Sequence, residues 1–304
     1  MNFFKQIRDT FKNTSKQSYP VENGITFIHH NPGRGNIGDY LCSPRHYFKF
    51  NNPIKDLHII GGGVFVGLAI DKIRRNKISF EKSVLWGVGQ SLRDINQQTE
   101  LIESLPYRDW AIRDKKYALS DKNFVPCCSC LHRMLDTPTS TNKTLLFLNA
   151  DPKVTSSATI DFCNQIAKSK GWEILFNNCT EADIINAIKG CDHIITNSYH
   201  GSYWGLLSGR KVTMMGYSSK FISLLDLFNF SDKKLIQINR GEASTLIEAL
   251  KNINDETKAI QLENSADYLK AFRNLNTSFA DRLITHRLFS DYTLTERVAP
   301  DFLK

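Results

Sequence analysis

Short runs of apolar, β-branched and aromatic residues recur along this sequence, with longer amphipathic stretches between them. This alternation is typical of βαβ units, which build a parallel sheet covered by helices. It therefore predicts an α/β fold. The runs fall into two groups, at residues 25–30, 57–63, 84–89 and 109–114 in the first half and at residues 144–150, 172–177, 193–198 and 212–216 in the second.

A polar segment between the two groups predicts a domain boundary. Residues 135–144 read LDTPTSTNKT, with a proline and no apolar period, so we expect a linker. Apolar residues at three- and four-residue spacings predict a long helix within 261–289. We expect two Rossmann-like domains facing a cleft, at 1–138 and 139–260, and a helical segment at 261–304 that packs across both.

The formal net charge of +8 indicates an anionic partner. Basic residues are spread along the chain without a basic run that interleaves aromatic residues. We therefore expect no nucleic acid, and favour phosphorylated substrates or a membrane surface. The 7 cysteines are scattered over 304 residues, which fits a reducing compartment.

The chain shows no sign of a membrane span or of a secretory signal. No apolar stretch approaches the ~20 residues that cross a bilayer, and the start lacks an apolar signal core. We therefore expect a cytoplasmic protein. Phe3, Phe4, Ile7 and Phe11 share one face of a predicted N-terminal helix. This helix either makes a peripheral contact with the inner membrane face or covers a core.

A glycine-rich turn follows the first predicted strand. Residues 33–38 read GRGNIG, which matches the G-x-G-x-x-G pattern of dinucleotide sites. Such a site also needs an acidic residue about 20 positions further on, but the second strand ends in three glycines and Asp56 precedes it. The turn is instead expected to present amides, with Arg34 and Asn36, to an anion or a sugar hydroxyl.

Two further features lie near this turn. Asp39 follows the last glycine, where it either caps the helix or acts as an acid or base. Gly61, Gly62 and Gly63 close the second strand, and ligands of parallel sheets bind beyond the carboxyl ends of strands. Tight turns without a ligand would also explain these glycines.

A histidine-glycine pair opens the helix after the strand at 193–198. Ser198 is expected to cap this helix, and His200 and Gly201 lie in its first turn. The positive end of the helix dipole favours a phosphate or carboxylate, and an imidazole there can exchange protons near neutral pH. The alternative is a capping or core histidine.

One cluster of cysteines is considered as a candidate zinc site. Cys127 and Cys130 form a C-x-x-C pair with His132 nearby, but a structural zinc site needs four ligands. The remaining cysteines offer no second pair, so no metal site is predicted and buried thiols are expected. Cys128 lies within the cluster itself, and the cysteines outside it are Cys42, Cys163, Cys179 and Cys191.

Taken in order, several motifs resemble the polysaccharide pyruvyltransferase family. The resemblance covers about residues 25–230. The motifs are GNIGD at 35–39, GGG at 61–63, GVGQS at 87–91, IRD at 112–114, SYHG at 198–201 and SK at 219–220.

The resemblance implies a glycosyltransferase-B-like pair of domains and a defined reaction. Pyruvate would pass from phosphoenolpyruvate to two hydroxyls of a nucleotide- or lipid-linked sugar, forming a ketal in surface polysaccharide synthesis. No cofactor is implied. His200 would be catalytic, with Asp39 as its candidate partner on the acceptor side. The residues expected to bind substrates are Arg113, Lys220, Ser198, Tyr199, Gly201, Arg34, Asn36, Gly61, Gly62 and Gly63.

The sequence departs from the family at one position. Many members carry arginine where this chain has Ser198, so Arg34 or Arg210 would have to supply the missing anion contact. Two alternatives therefore stay open. One is a glycosyltransferase that uses a nucleotide sugar on the same frame, and the other is a non-catalytic sugar-binding or assembly partner.

Overall fold

The computed structural model describes residues 19–29, 35–61, 63–90, 102–138, 142–253, 258–299 and 302. The strands, in chain order, are β1 (Val21–Glu22), β2 (Ile25–Ile28), β3 (Phe48–Asn51), β4 (Leu57–Ile60), β5 (Ser83–Val88), β6 (Asp109–Ile112), β7 (Thr144–Leu148), β8 (Glu173–Phe176), β9 (His193–Thr196), β10 (Lys211–Gly216), β11 (Ile236–Gln237) and β12 (Asp291–Leu294). The helices are α1 (Ile37–Leu41), α2 (Val66–Arg75), α3 (Ser157–Lys170), α4 (Glu181–Gly190), α5 (Tyr199–Leu207), α6 (Ser219–Leu227), α7 (Ala243–Lys251) and α8 (Ser265–Thr285).

Two five-stranded sheets organise the described part of the chain. The first has the order β1-β2-β4-β5-β6 and is parallel except for β1. The second has the order β11-β10-β9-β7-β8 and is parallel throughout. The fold is thus α/β with parallel sheets and covering helices, an arrangement compatible with Rossmann-like folds.

All eight strands predicted from the sequence are present. The remaining strands were missed for physical reasons: β1 and β11 have two residues each, too few to show a period. β3 and β12 form a separate antiparallel ribbon. In β3, Phe48 and Phe50 are buried and Lys49 is exposed, an alternation that the sequence did carry.

The long helix predicted within 261–289 is α8, and it contacts β5 of the first sheet and α5, which packs on β9 and β10 of the second. Asn276 accepts a hydrogen bond from Nε1 of Trp86 on β5 (2.9 Å). Phe272 stacks on Tyr203 of α5, with ring centroids 6.2 Å apart. Within the described ranges, α8 and the other helices are too short or too polar to cross a bilayer. The predicted N-terminal helix lies outside these ranges.

Candidate functional site

A cavity of about 760 Å³ lies where the carboxyl ends of strands from both sheets meet. Parallel strands end at one edge of a sheet, so the loops that follow them gather there. From the first half, the lining residues are Gly35, Asn36, Asp39, Gly63, Phe65 and Arg113. From the second half, they are Asn149, Ala150, Asp151, Pro152, Asn177, Asn178, Ser198, Tyr199, His200, Tyr217, Ser218, Lys220 and Arg240.

His200 lies in the first turn of α5 and lines this cavity. Ser198 is the N-cap, as expected, and its hydroxyl accepts a bond from the amide of Gly201 (3.5 Å). The His200 side chain is 6% exposed. Its Nε2 lies 3.8 Å from Sγ of Cys127. The imidazole is therefore fixed by protein contacts while it still borders the cavity.

Asp39 borders the cavity without capping α1. The cap is Asn36, whose side-chain oxygen accepts bonds from the amides of Gly38 (3.1 Å) and Asp39 (3.4 Å). The Asn36 side-chain amide donates to the Asp39 carboxylate (3.0 Å). A Cβ atom on Gly63, where φ is +75°, would lie 2.2 Å from that carboxylate. Gly63 thus provides the space in which Asp39 sits.

Arg113 is the buried cation of the site. It is 4% exposed, and its guanidinium lies 4.3 Å from the Tyr199 ring centroid and 5.6 Å from that of Phe65. Among the residues that the structure describes, its Nε has no hydrogen-bond partner. The neighbouring Asp114 carboxylate instead accepts the amide of Gln90 (2.6 Å). Arginine keeps its charge in proteins. A positive guanidinium whose N–H donors are not all used therefore borders the cavity.

Burial and nearby groups shift the pKa of the Arg113 guanidinium in opposite directions. Burial by itself would lower the pKa of the guanidinium, but Tyr199 and the Asp114 carboxyl hold that pKa above its usual value. Gly89 explains how the side chain fits, because a Cβ atom there would lie 2.9 Å from Nη2 of Arg113. The glycines of two motifs therefore make room for Asp39 and Arg113.

A second cation borders the cavity from α6. Nζ of Lys220 donates to the Tyr217 hydroxyl (2.9 Å) and lies 4.8 Å from the centroid of its ring. Arg240 also lines the cavity, but it pairs with Asp151 at 2.6 Å. Across the described residues, neither Arg113 nor Lys220 forms an ion pair. The cavity thus holds more positive than negative charge, which favours an anionic ligand.

Arg210 does not supply the missing anion contact. It is fully buried, and its guanidinium donates to the carbonyls of Ile188 (2.9 Å), Cys191 (3.1 Å), Ser208 (2.9 Å) and Thr137 (3.1 Å). These carbonyls use every nitrogen of the side chain, so the expectation for Arg210 was wrong. Arg34, the other candidate for this contact, lies outside the described residues, as does Gly62.

Two further glycines predicted to bind substrate do not line the cavity. A Cβ atom on Gly61 would lie 3.2 Å from the carbonyl oxygen of Trp86. A Cβ atom on Gly201 would lie 2.5 Å from the Phe147 ring and 2.7 Å from Oγ1 of Thr196. Close packing between elements therefore explains both glycines.

The cysteine cluster separates into different environments. Cys127 and Cys130 are buried, as predicted, but Cys130 receives a hydrogen bond from Asn276 (3.4 Å) and His132 pairs with Glu181 (3.2 Å). Burial by itself would raise the pKa of the Cys127 thiol, but hydrogen bonds with Cys42 and His200 hold that pKa well below its usual range.

Several lining residues were missed in the sequence. Asn149 follows β7, Asn177 follows β8 and Tyr217 follows β10. Their side chains form one network, in which Asn149 donates to the Tyr217 hydroxyl (2.8 Å) and accepts from Asn177 (3.3 Å). The position of these residues at the carboxyl ends of predicted strands, or directly after them, was the signal that could have found them.

Comparisons of the chain with protein-family models, with curated proteins and with solved structures found no match. Function is therefore inferred from the residues and the geometry of the cavity.

Proposed function

We propose that this protein transfers the pyruvyl group of phosphoenolpyruvate to two hydroxyls of a sugar, forming a ketal. The observation that carries the proposal is the state of Arg113. Its buried guanidinium borders the cavity, and within the described part of the chain it forms no ion pair and its Nε has no hydrogen-bond partner. A buried charge without a counter-charge is costly, so an anionic ligand that pairs with this guanidinium gains affinity.

The donor fits the charge distribution of the cavity. Phosphoenolpyruvate carries about three negative charges on a phosphate and a carboxylate. Arg113 can bind either group through two parallel hydrogen bonds, and Lys220 supplies a second, more mobile cation. The amino end of α5 adds the positive end of a helix dipole. This combination matches a small ligand with two anionic ends.

The size of the cavity leaves room for an acceptor beside this donor. Small-molecule sites typically span about 300–1,000 Å³, and this one measures about 760 Å³. Residues of both halves of the chain line it. These observations support two domains in a glycosyltransferase-B-like arrangement, with a nucleotide- or lipid-linked sugar entering on the side of Asp39. Such a product belongs to surface polysaccharide synthesis.

His200 and Asp39 are assigned the proton transfers. His200 protonates the methylene carbon of the donor, which leaves positive charge on the neighbouring carbon. A sugar hydroxyl attacks that carbon and loses its proton to Asp39. The phosphate then leaves, and a second hydroxyl closes the ketal as its proton passes to the phosphate. A positioned acid or base typically contributes about 100- to 10,000-fold in rate.

The first test measures ligand protection against thermal unfolding. Phosphoenolpyruvate should raise the Tm of the wild-type protein, because a ligand that binds only the folded state stabilises it. Arg113→Met should lose most of this shift. Protection by uridine or cytidine nucleotides instead would contradict the proposal and support a glycosyltransferase.

The second test measures chemistry. Wild-type protein with phosphoenolpyruvate and candidate sugars should release phosphate and yield a glycan with the added mass of a ketal-linked pyruvate. His200→Ala should bind phosphoenolpyruvate and release no phosphate. A His200→Ala protein that still complements a deletion in cells would indicate a non-catalytic binding partner. A mass gain of one hexose would indicate glycosyl transfer.

A further inference from the structure

Cys42, Cys127 and His200 converge beside the cavity. One donor atom from each residue lies within 4.8 Å of the donor atoms of the other two. Cys42 is 4% exposed, Cys127 3% and His200 6%. Cys42 follows α1, Cys127 lies in the segment after β6, and His200 opens α5, so the cluster exists only in the folded chain.

From this convergence we infer a binding site for a thiophilic divalent cation of the Zn²⁺ type, held by Cys42, Cys127 and His200. Two thiolates and an imidazole are ligands that such ions prefer over magnesium or calcium, which take oxygen ligands. Three protein ligands with a fourth position left for water or substrate are the usual set of an open zinc site. The described residues supply this three-ligand set and no larger group.

One separation within the cluster is close to that of a metal site. With Zn–S near 2.3 Å and Zn–N near 2.0–2.1 Å, a tetrahedral site places sulfur and nitrogen about 3.6 Å apart. Sγ of Cys127 and Nε2 of His200 are 3.8 Å apart. That separation is long for a strong hydrogen bond, and a cation between the two atoms needs only a small adjustment.

The surroundings of Cys127 support a thiolate ligand. The indole N–H of Trp204 donates to Oγ of Ser129 (2.9 Å). That hydroxyl lies 3.2 Å from Sγ of Cys127 and retains its own proton to donate. Hydrogen bonds of this kind orient metal ligands, and their loss typically weakens metal binding by about 10- to 100-fold.

Charge balance also favours the ion. Each thiol releases its proton on binding, so two thiolates and a divalent cation form a neutral set with the imidazole. A neutral set suits a site where all three side chains are buried. Metal binding uses the lone pair of His200 and would therefore prevent this residue from transferring protons. This consequence for catalysis rests on the proposed function, whereas the binding site does not.

The test uses the full chain, purified with a reductant that does not chelate metals. Titration with Cd²⁺ should produce ultraviolet thiolate-to-metal absorption that saturates at one equivalent, and Zn²⁺ should displace it. Cys42→Ser, Cys127→Ser and His200→Asn should each weaken binding by at least about 100-fold. Cys163→Ser is the matched control, because Cys163 is a buried thiol of α3 outside the cluster, and it should bind like wild type.

Either of two results of the titration would overturn the inference: absence of saturable thiolate absorption in the wild type, or unchanged affinity in the three cluster variants. Because a cluster variant could fail to fold, a second experiment measures thiol alkylation in the wild-type protein. Zn²⁺ should slow alkylation of Cys42 and Cys127 without slowing that of the partly exposed Cys179. Equal rates with and without Zn²⁺ would contradict the site. Neither readout involves phosphoenolpyruvate, whose binding is tested separately through Arg113.

Discussion

Gly38 leaves the space that the imidazole of His200 occupies: a Cβ atom on Gly38 would lie 2.2 Å from Nδ1 and 2.6 Å from Cγ of that ring. Gly38 is the last glycine of the turn at 33–38, which resembled a dinucleotide motif. Its role is to let α1 approach the start of α5. This contact ties the first half of the chain to the residue that we assign as the catalytic acid.

Gly38→Ala should therefore displace His200. Overpacking of this kind typically costs about 1–3 kcal/mol of stability. Because a displacement of about 1 Å can cost 100-fold in rate, phosphate release should fall by about that factor or more. Gly67→Ala is the control, since a Cβ atom on this exposed glycine of α2 has no neighbour within 4 Å. Equal activity of the two variants would contradict the role assigned to Gly38.

Arg113 and Arg210 should respond differently to replacement by methionine. Arg210→Met leaves several buried carbonyls without a donor, so its free energy of unfolding should fall by at least about 2 kcal/mol. Arg113→Met breaks no ion pair among the described residues and removes an Nε donor that has no partner there, so stability should change much less. Denaturant unfolding without ligand measures both. Equal losses would show that Arg113 serves the fold.

Asn276 should be a stabilising link between α8 and the sheets. Asn276→Leu leaves the indole N–H of Trp86 and the carbonyl of Pro126 unpaired, at about 1–3 kcal/mol each. Asn274→Leu, an exposed position on the same helix, is the matched control and should change stability by less than about 0.5 kcal/mol. Urea unfolding of both variants measures the difference. A loss of similar size in the control would point to helix propensity instead.

His46 should cause the free energy of unfolding to decrease as the pH is lowered. Burial, and then the charges of Arg45 and Arg297, lower the pKa of His46 to about 3. Between pH ~6.5, where an unfolded histidine titrates, and pH ~3, the unfolded chain binds one proton more at this residue. Stability should therefore decrease as pH falls through this window, by up to about 1.4 kcal/mol per unit for this group.

His46→Gln tests this pH effect. The variant should lose less stability than the wild type between pH 6.5 and pH 4, measured by denaturant unfolding at each pH. Other buried histidines contribute to the wild-type slope, so the informative quantity is the difference between the two proteins. Parallel curves would show that His46 is not the responsible group.

The local pattern of the sequence was enough to predict the eight longer parallel strands, α8 and the start of α5. Most of the predicted strands carry continuous apolar runs because central parallel strands are buried on both faces, whereas the edge strand β8 is only partly buried. The cap at Ser198 and the position of His200 also follow from short-range chemistry. These features depend on neighbours within a few residues, which any stretch of sequence displays.

Only the tertiary structure decided which polar residues meet. Arg113 and Arg210 look alike in the sequence, yet one faces the cavity and the other is held by carbonyls. Cys127 is 73 residues from His200 along the chain and 3.8 Å away in space. Such contacts depend on how whole elements pack, which a local period does not encode. Hence the edge of each sheet that borders the cavity was predictable, whereas the partners of each charged group there were not.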